Sequence, residues 1–307
     1  MQTHTTGRHL LYMEMDNNFN ETKDHKMKHL NKLHIILSLT ACTLNAYATS
    51  QIGNIDDFDG TFKDYTLKRA DKIIEIGIYE PLYSNDRIYV NNNQFIDIRQ
   101  CGETYRITHK DSPYQVKSKN CKVPGILSNL WLNIKGFMEY IVTITSNPSV
   151  STHTKSDEEP LTIPILEGTF NAIPTLKAGK RALYLQWFGG KSAYKVQITT
   201  DDKQILWQTE TQTKSVKTAK IDFKAGQIYR IIINQTELEF EAIAKLPDYP
   251  AQLQDKAIPE NMRQTLQAAW LKKQDDIKWS FEAFQQLSDI ADNYGPAREL
   301  QKAILNQ

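Results

Sequence analysis

Three cysteines, Cys42, Cys101 and Cys121, are the residues of this 307-residue chain with the clearest chemical options. A thiol can be acylated, oxidised to a disulfide, or ionised to bind metal, and its surroundings decide which. Cys101 and Cys121 are too far apart for a Cys-x-x-Cys redox or metal motif. Beyond residue 48 the only histidines are His109 and His153, so a zinc site would be short of ligands. His109-Lys110-Asp111-Ser112 gathers the side chains of a hydrolytic triad. Such triads are assembled in space, however, and these four residues read as a solvated turn between strands. His153 lies in the linker-like Ser151-Thr152-His153-Thr154. The carboxylates of Asp56-Asp57-Phe58-Asp59-Gly60 invite calcium but lack the downstream Glu of an EF-hand loop. Asp201-Asp202 reads as a polar hairpin turn. No glycine-rich phosphate loop, G-x-S-x-G elbow or H-E-x-x-H motif is present. Two carboxylates could still meet across a cleft, as in glycosidases, which keeps an unrecognised hydrolase as the least favoured alternative. The expectation is a non-catalytic protein with no cofactor and no metal.

Cys42 belongs to a different argument. Met27-Lys28-His29-Leu30-Asn31-Lys32 is basic, Leu33-His34-Ile35-Ile36-Leu37-Ser38-Leu39 is mostly apolar, and small residues follow. That is the order of a secretory signal, with Met27 read as the start and residues 1–48 as upstream segment plus signal. The apolar run falls short of the roughly 20 residues that cross a bilayer. Leu39-Thr40-Ala41-Cys42 resembles a lipobox, which would make Cys42 a lipidated first residue and tether the protein to a membrane. Ala46-Tyr47-Ala48 resembles an ordinary cleavage site, which would release a soluble periplasmic protein beginning at Thr49. Both exits stay open. Either one places Cys101 and Cys121 in an oxidising compartment, where an even pair points to a disulfide.

Charge narrows the partners. The chain has 37 basic and 36 acidic residues, and the leader removes five and four of them, which leaves a net charge of zero. Without a basic excess there is no long-range attraction to phosphate backbones or anionic lipid, so nucleic acid is not expected as a partner.

The elements that must position any site are mostly strands. In the segment 55–145, Ile73–Tyr79, Arg87–Val90, Phe95–Arg99, Tyr105–Thr108 and Tyr114–Val116 are short β-type runs separated by turn residues, which predicts antiparallel β structure. Leu82, Asn85-Asp86-Arg87-Ile88, Phe95–Ile98, Gly102-Glu103-Thr104-Tyr105-Arg106-Ile107 and Pro113-Tyr114-Gln115-Val116 follow one another in an order that resembles the periplasmic FecR-like domain. That resemblance covers about a quarter of the chain and implies a binding module. The anti-sigma segment and transmembrane helix of full-length FecR regulators are not matched here, so sigma-factor regulation is not implied. Ile126–Met138 has helical spacing and reads as a helix packed on this block, and residues 146–162 read as a linker.

Residues 163–246 alternate again. Leu183–Trp187, Tyr194–Ile198, Gln204–Gln208, Ile221–Ile231 and Glu237–Glu241 read as strands. Gly226-Gln227-Ile228-Tyr229 resembles the tyrosine corner of Ig-like and fibronectin-type sandwiches, in which a buried Tyr ties down the preceding connection. From 250 to 307 the chain reads as an α-helical hairpin with a short last helix. Met262, Leu266, Ala269 and Trp270 share one face, and Trp279, Ala283, Phe284, Leu287 and Ile290 another. The spacing and the Tyr294-Gly295-Pro296-Ala297 step are similar to one tetratricopeptide unit. Since a lone unit cannot bury its face, it either docks within the chain or presents Trp270, Trp279 and Phe284 to a partner.

The sum is a mainly β, exported envelope protein that binds another envelope protein. The alternative from another class is glycan binding, with Tyr83, Tyr89, Tyr184, Tyr194 and Trp207 stacking on sugars rather than packing in the core.

Overall fold

The computed structural model describes residues 51–117, 159–167 and 172–306, together with Phe137, Tyr140, Ile141 and Thr145. Cys42, Cys121, His153 and most of the expected linker lie outside these residues. So does the helix expected at Ile126–Met138, apart from Phe137, which is helical and buried.

Alternation of apolar and polar residues builds two four-stranded antiparallel sheets in the first β unit. One has the order β4 (Pro81–Tyr83), β1 (Gln51–Phe58), β6 (Phe95–Gln100), β7 (Glu103–Thr108). The other runs β3 (Lys72–Ile74), β2 (Tyr65–Arg69), β5 (Arg87–Val90), β8 (Tyr114–Gln115). Ile55, Leu67, Leu82, Ile88, Ile96 and Ile98 are the inward residues of these strands and are fully buried. Cross-strand ion pairs flank them: Arg106 pairs with Asp97 at 2.8 Å and Arg99 with Asp56 at 2.6 Å. Gly53 sits where β1 shifts register, and a Cβ there would lie 2.5 Å from the Arg99 carbonyl oxygen.

The second unit has a five-stranded sheet in the order β13 (Ile205–Thr211), β12 (Tyr194–Thr200), β16 (Gln227–Ile233), β17 (Thr236–Ile243), β9 (Thr175–Lys177). All its pairs are antiparallel except β17–β9, which is parallel. Opposite it, β10 (Gly179–Arg181) pairs with β15 (Ile221–Phe223), and β11 (Tyr184–Gln186) with β14 (Ser215–Lys217). Between the layers, Phe223, Tyr229 and Phe240 form an aromatic cluster with ring centroids 5.0–5.6 Å apart. The Tyr229 hydroxyl accepts the Lys224 N–H at 2.7 Å and donates to the Gln227 side chain at 2.9 Å. It thereby ties the connection before its strand to the core. Residues at the end of the expected linker are held as well: the Gly190 N–H donates to the Glu159 carbonyl at 2.8 Å, and Thr162 bridges Phe188.

Three helices follow, α1 (Glu260–Gln274), α2 (Asp276–Ser288) and α3 (Gly295–Leu305). Asp275 caps α2 by accepting from the Ile277 and Lys278 amides. The helices serve as the seal between the two β units. Helix α2 closes the β9 side of the second unit: Phe281 packs on Phe240, and the Gln285 amide hydrogen-bonds the Tyr184 N–H and C=O at 2.9 and 2.8 Å, standing in for a missing strand. Glu282 accepts from the Lys177 N–H and from Arg181. Helix α3 reaches the first unit. Its Gly295 N–H donates to Asp57 at 2.8 Å, and a Cβ on Gly295 would lie 2.3 Å from the Phe58 carbonyl. Tyr79 and Tyr294 meet hydroxyl to hydroxyl at 3.1 Å in the same buried contact. One continuous apolar core therefore runs through the described parts of both β units and the helices. No described helix is long and apolar enough to cross a membrane.

Candidate functional site

A groove opens where the β2–β3 hairpin faces helix α3. It has a volume of about 590 Å³, within the range of ligand sites, and Phe62, Ile74, Ile76 and Ala303 form its apolar floor. Lys63, Glu75, Glu299 and Lys302 stand at its margin, the last two joined in an ion pair at 2.7 Å. Tyr65 supports one wall. Its hydroxyl donates to the Phe95 carbonyl at 2.6 Å, and burial raises its pKa well above the ordinary value, so it serves as a neutral strut.

The other wall is an edge strand. Ala70 and Asp71, both with positive φ (47° and 63°), turn β2 into β3. Leu67 pairs with Ile74 and Arg69 with Lys72. With Arg69 and Lys72 closing the two-residue turn, antiparallel alternation aims the Ile73 N–H and C=O away from β2. No strand pairs with that outer edge among the described residues. The Ile73 side chain is 72% exposed, the highest value among the exposed large apolar residues. This short edge, with Lys72 at its turn end and exposed Ile73 beside an apolar groove, has outward backbone groups that an added strand could pair with.

Beneath the same hairpin lies a buried ion cluster. Arg69 holds Asp86 at 3.0 Å and Glu80 at 3.5 Å, donates to the Pro81 carbonyl, and stacks over the Tyr83 ring. Asp86 also accepts the Tyr83 N–H. Burial is the main reason the Glu80 carboxyl is pushed up to about 7, with Arg69 pulling it partly back. The cluster fixes the hairpin that forms the groove.

The residues singled out from sequence do not gather at this groove. Cys101 occupies the β6–β7 turn with φ 58°; its expected partner Cys121 lies outside the described residues, as does Cys42. His109 points its Nδ1 at the Val90 carbonyl, 3.2 Å away. Asp111 is turned back onto Thr108, and the Ser112 hydroxyl accepts the Val90 N–H, so the three do not form a triad. The Asp56–Asp59 carboxylates are dispersed: Asp56 pairs with Arg99, Asp57 caps α3, and Asp59 holds the Gly60 amide. Asp201 is held by Arg230 at 2.6 Å. No group of three or more metal-ligating side chains occurs among the described residues.

The aromatic candidates are largely spent on packing. Phe284 is fully buried and stacks on Tyr184, and Trp279 is 7% exposed, so both side chains pack within the chain. Helix α2 turns its apolar face to the second β unit, where Phe281 packs on Phe240. Trp270 is partly buried against Tyr249. Of the sugar-stacking candidates, Tyr194 is buried edge-on against Trp187, which removes it from any platform.

Sequence reasoning missed the groove itself. The only signal for it was Ile73-Ile74 directly after a turn, which alternation alone reads as core. No family model matches the chain, and no curated protein matches it.

Proposed function

We propose that this chain is an exported envelope protein that acts as a non-catalytic binding module, receiving an extended segment of another envelope protein alongside β3. The observation that carries this reading is the unpaired β3 edge with exposed Ile73 beside the apolar groove. Strand addition would satisfy the outward backbone groups, and the groove would take alternate apolar side chains. Two finer fold assignments belong to the same reading. The first unit is FecR-like, and the second is an Ig-like sandwich, supported by its strand order, the parallel β9–β17 pair and the Tyr229 tie.

The test is a photo-crosslinking residue at Ile73 in intact cells, with the same residue at exposed Lys180 as control. A discrete partner captured from Ile73 alone supports the proposal; no product, or the same products from both positions, counts against it. Export is tested separately by intact mass. A lipidated chain beginning at Cys42 or a soluble one beginning at Thr49 is expected, with a gain of about two mass units on reduction if Cys101 and Cys121 are joined. An uncut chain with free thiols refutes export.

A further inference from the structure

The five-stranded sheet has two edges, and they are finished differently. The β9 edge is covered by helix α2 through Thr175, Lys177 and their bonds to Lys278 and Glu282. The β13 edge has no neighbouring strand among the described residues. It is regular from Trp207 to Thr211, because the register shift against β12 lies between Trp207 and Ile205. It carries no Pro and no Lys, two residues that commonly guard edges.

Hydrogen bonding tells which backbone groups face outward. The Lys195 carbonyl accepts the Asn234 N–H, and the Lys195 N–H donates to the Asn234 side chain, so Lys195 faces β16. Alternation then turns Val196 and Ile198 toward β13, where they oppose Thr209 and Trp207. Gln208 and Glu210 are left with outward N–H and C=O groups, and both side chains are exposed.

We propose that two copies of this chain pair antiparallel through β13, with the two-fold axis at Thr209, to form a continuous ten-stranded sheet across the dimer. In that register Gln208 of each copy lies opposite Glu210 of the other, and these are the residues with outward backbone groups. Each pair exchanges two backbone hydrogen bonds and sets an amide side chain against a carboxylate. Thr209 meets its own copy, a favourable cross-strand match. Trp207 and Thr211, both only partly covered in a single copy, lie against each other across the axis. No like charges lie directly opposite each other, and the two Glu210 residues are diagonal neighbours across the axis. The strand is self-complementary in hydrogen-bond phase and pairs an amide with a carboxylate twice about the axis, which favours a second copy over an unrelated strand.

The test is sedimentation of the full chain over a concentration series. A monomer–dimer equilibrium is expected. Gln208→Glu sets carboxylates against Glu210 twice and should weaken dimerisation about tenfold, whereas Gln208→Lys should tighten it by a similar factor. Both changes sit at an exposed position and should leave the melting curve unaltered at concentrations low enough to hold the monomer. Thr209→Cys should yield a covalent dimer on mild oxidation, because the facing Cα atoms of such a pair lie about 4.5 Å apart. A monomer at every concentration overturns the proposal. So does a dimer indifferent to both Gln208 variants and not trapped by Thr209→Cys.

Discussion

The two β units solve the same packing problem with different forces. The first surrounds a mostly aliphatic interior, which includes Phe58, Tyr65 and Tyr79, with partly buried ions: Arg69 with Asp86 and Glu80, Arg99 with Asp56, Arg106 with Asp97. The second relies on rings, with Phe223, Tyr229 and Phe240 in contact, Phe281 added from α2, and Trp187 against Tyr194. Its ion cluster, Arg230 with Asp201, Glu237 and Glu239, stays near the surface, since those carboxylates are 40–67% exposed. Ring packing tolerates small shifts, because burial is non-directional. Buried ions do not, since each must keep its partner or leave an uncompensated charge. The unit that carries the candidate groove is thus the one whose geometry is held by directional bonds.

The comparison can be broken most directly at its two centres. Phe240→Ala should cost about 3–5 kcal/mol through the cavity left among Phe223, Tyr229 and Phe281, measured by denaturant unfolding. Arg69→Met should cost a similar 3–5 kcal/mol for a different reason, because Asp86 and Glu80 lose their cation while remaining buried. The two should separate in pH dependence: acid should soften the Arg69→Met loss by protonating Glu80, and should leave the Phe240→Ala loss unchanged.

Gly295→Ala tests the joint between the units. The added methyl collides with the Phe58 carbonyl, and a loss of about 1–3 kcal/mol is expected. Hydrogen exchange should localise the loosening to α3 and β1. If the helices were a separate tail, exchange in β1 would not change.

Glu80 supplies a pH test. Its folded pKa is about 7 against an ordinary 4.5, so the folded state holds this proton more tightly than the unfolded chain does. The stability it contributes is therefore fully present below about pH 4.5 and is lost as pH rises through about 7. Asp57, raised mainly by burial, acts in the same direction. Glu80→Gln should flatten this slope and stabilise the protein at pH 8 by on the order of 1–2 kcal/mol. A variant with an unchanged slope would place the ionised Glu80 in a better-compensated site than the Arg69 geometry provides.

The smallest expected effect lies at the groove hairpin. Ala70 holds a positive φ that glycine adopts without a Cβ clash, so Ala70→Gly should stabilise by about 1 kcal/mol. The same change should leave crosslinking from Ile73 intact.

Much of this architecture was legible beforehand. Alternation in Phe95–Arg99 and Tyr194–Ile198 marked central strands because inward residues must be apolar at every second position. Tyr229 was readable because a Tyr after a turn glycine needs a partner for its hydroxyl, and the Lys224 amide is that partner. The helical faces of Met262–Trp270 and Trp279–Ile290 were likewise visible in their spacing. What those faces touch was not, because a helix's apolar stripe has no address. For Phe284 and Trp279 the spacing left docking within the chain and contact with a partner both open, and the folded structure buries both.

Local pattern, then, determined which of the described segments become strands and helices, and the order of β blocks and helical end, since each depends on neighbours within a few residues. Tertiary structure decided the rest. Asp57 caps Gly295, Arg69 selects Asp86 and Glu80, Gln285 completes the edge at Tyr184, and Ile73 is left beside an open groove. Most of these contacts join residues far apart in the chain, and even the Arg69 cluster depends on the folded hairpin. Their partners are chosen by the packing of whole sheets against helices, and no short stretch of sequence encodes that choice.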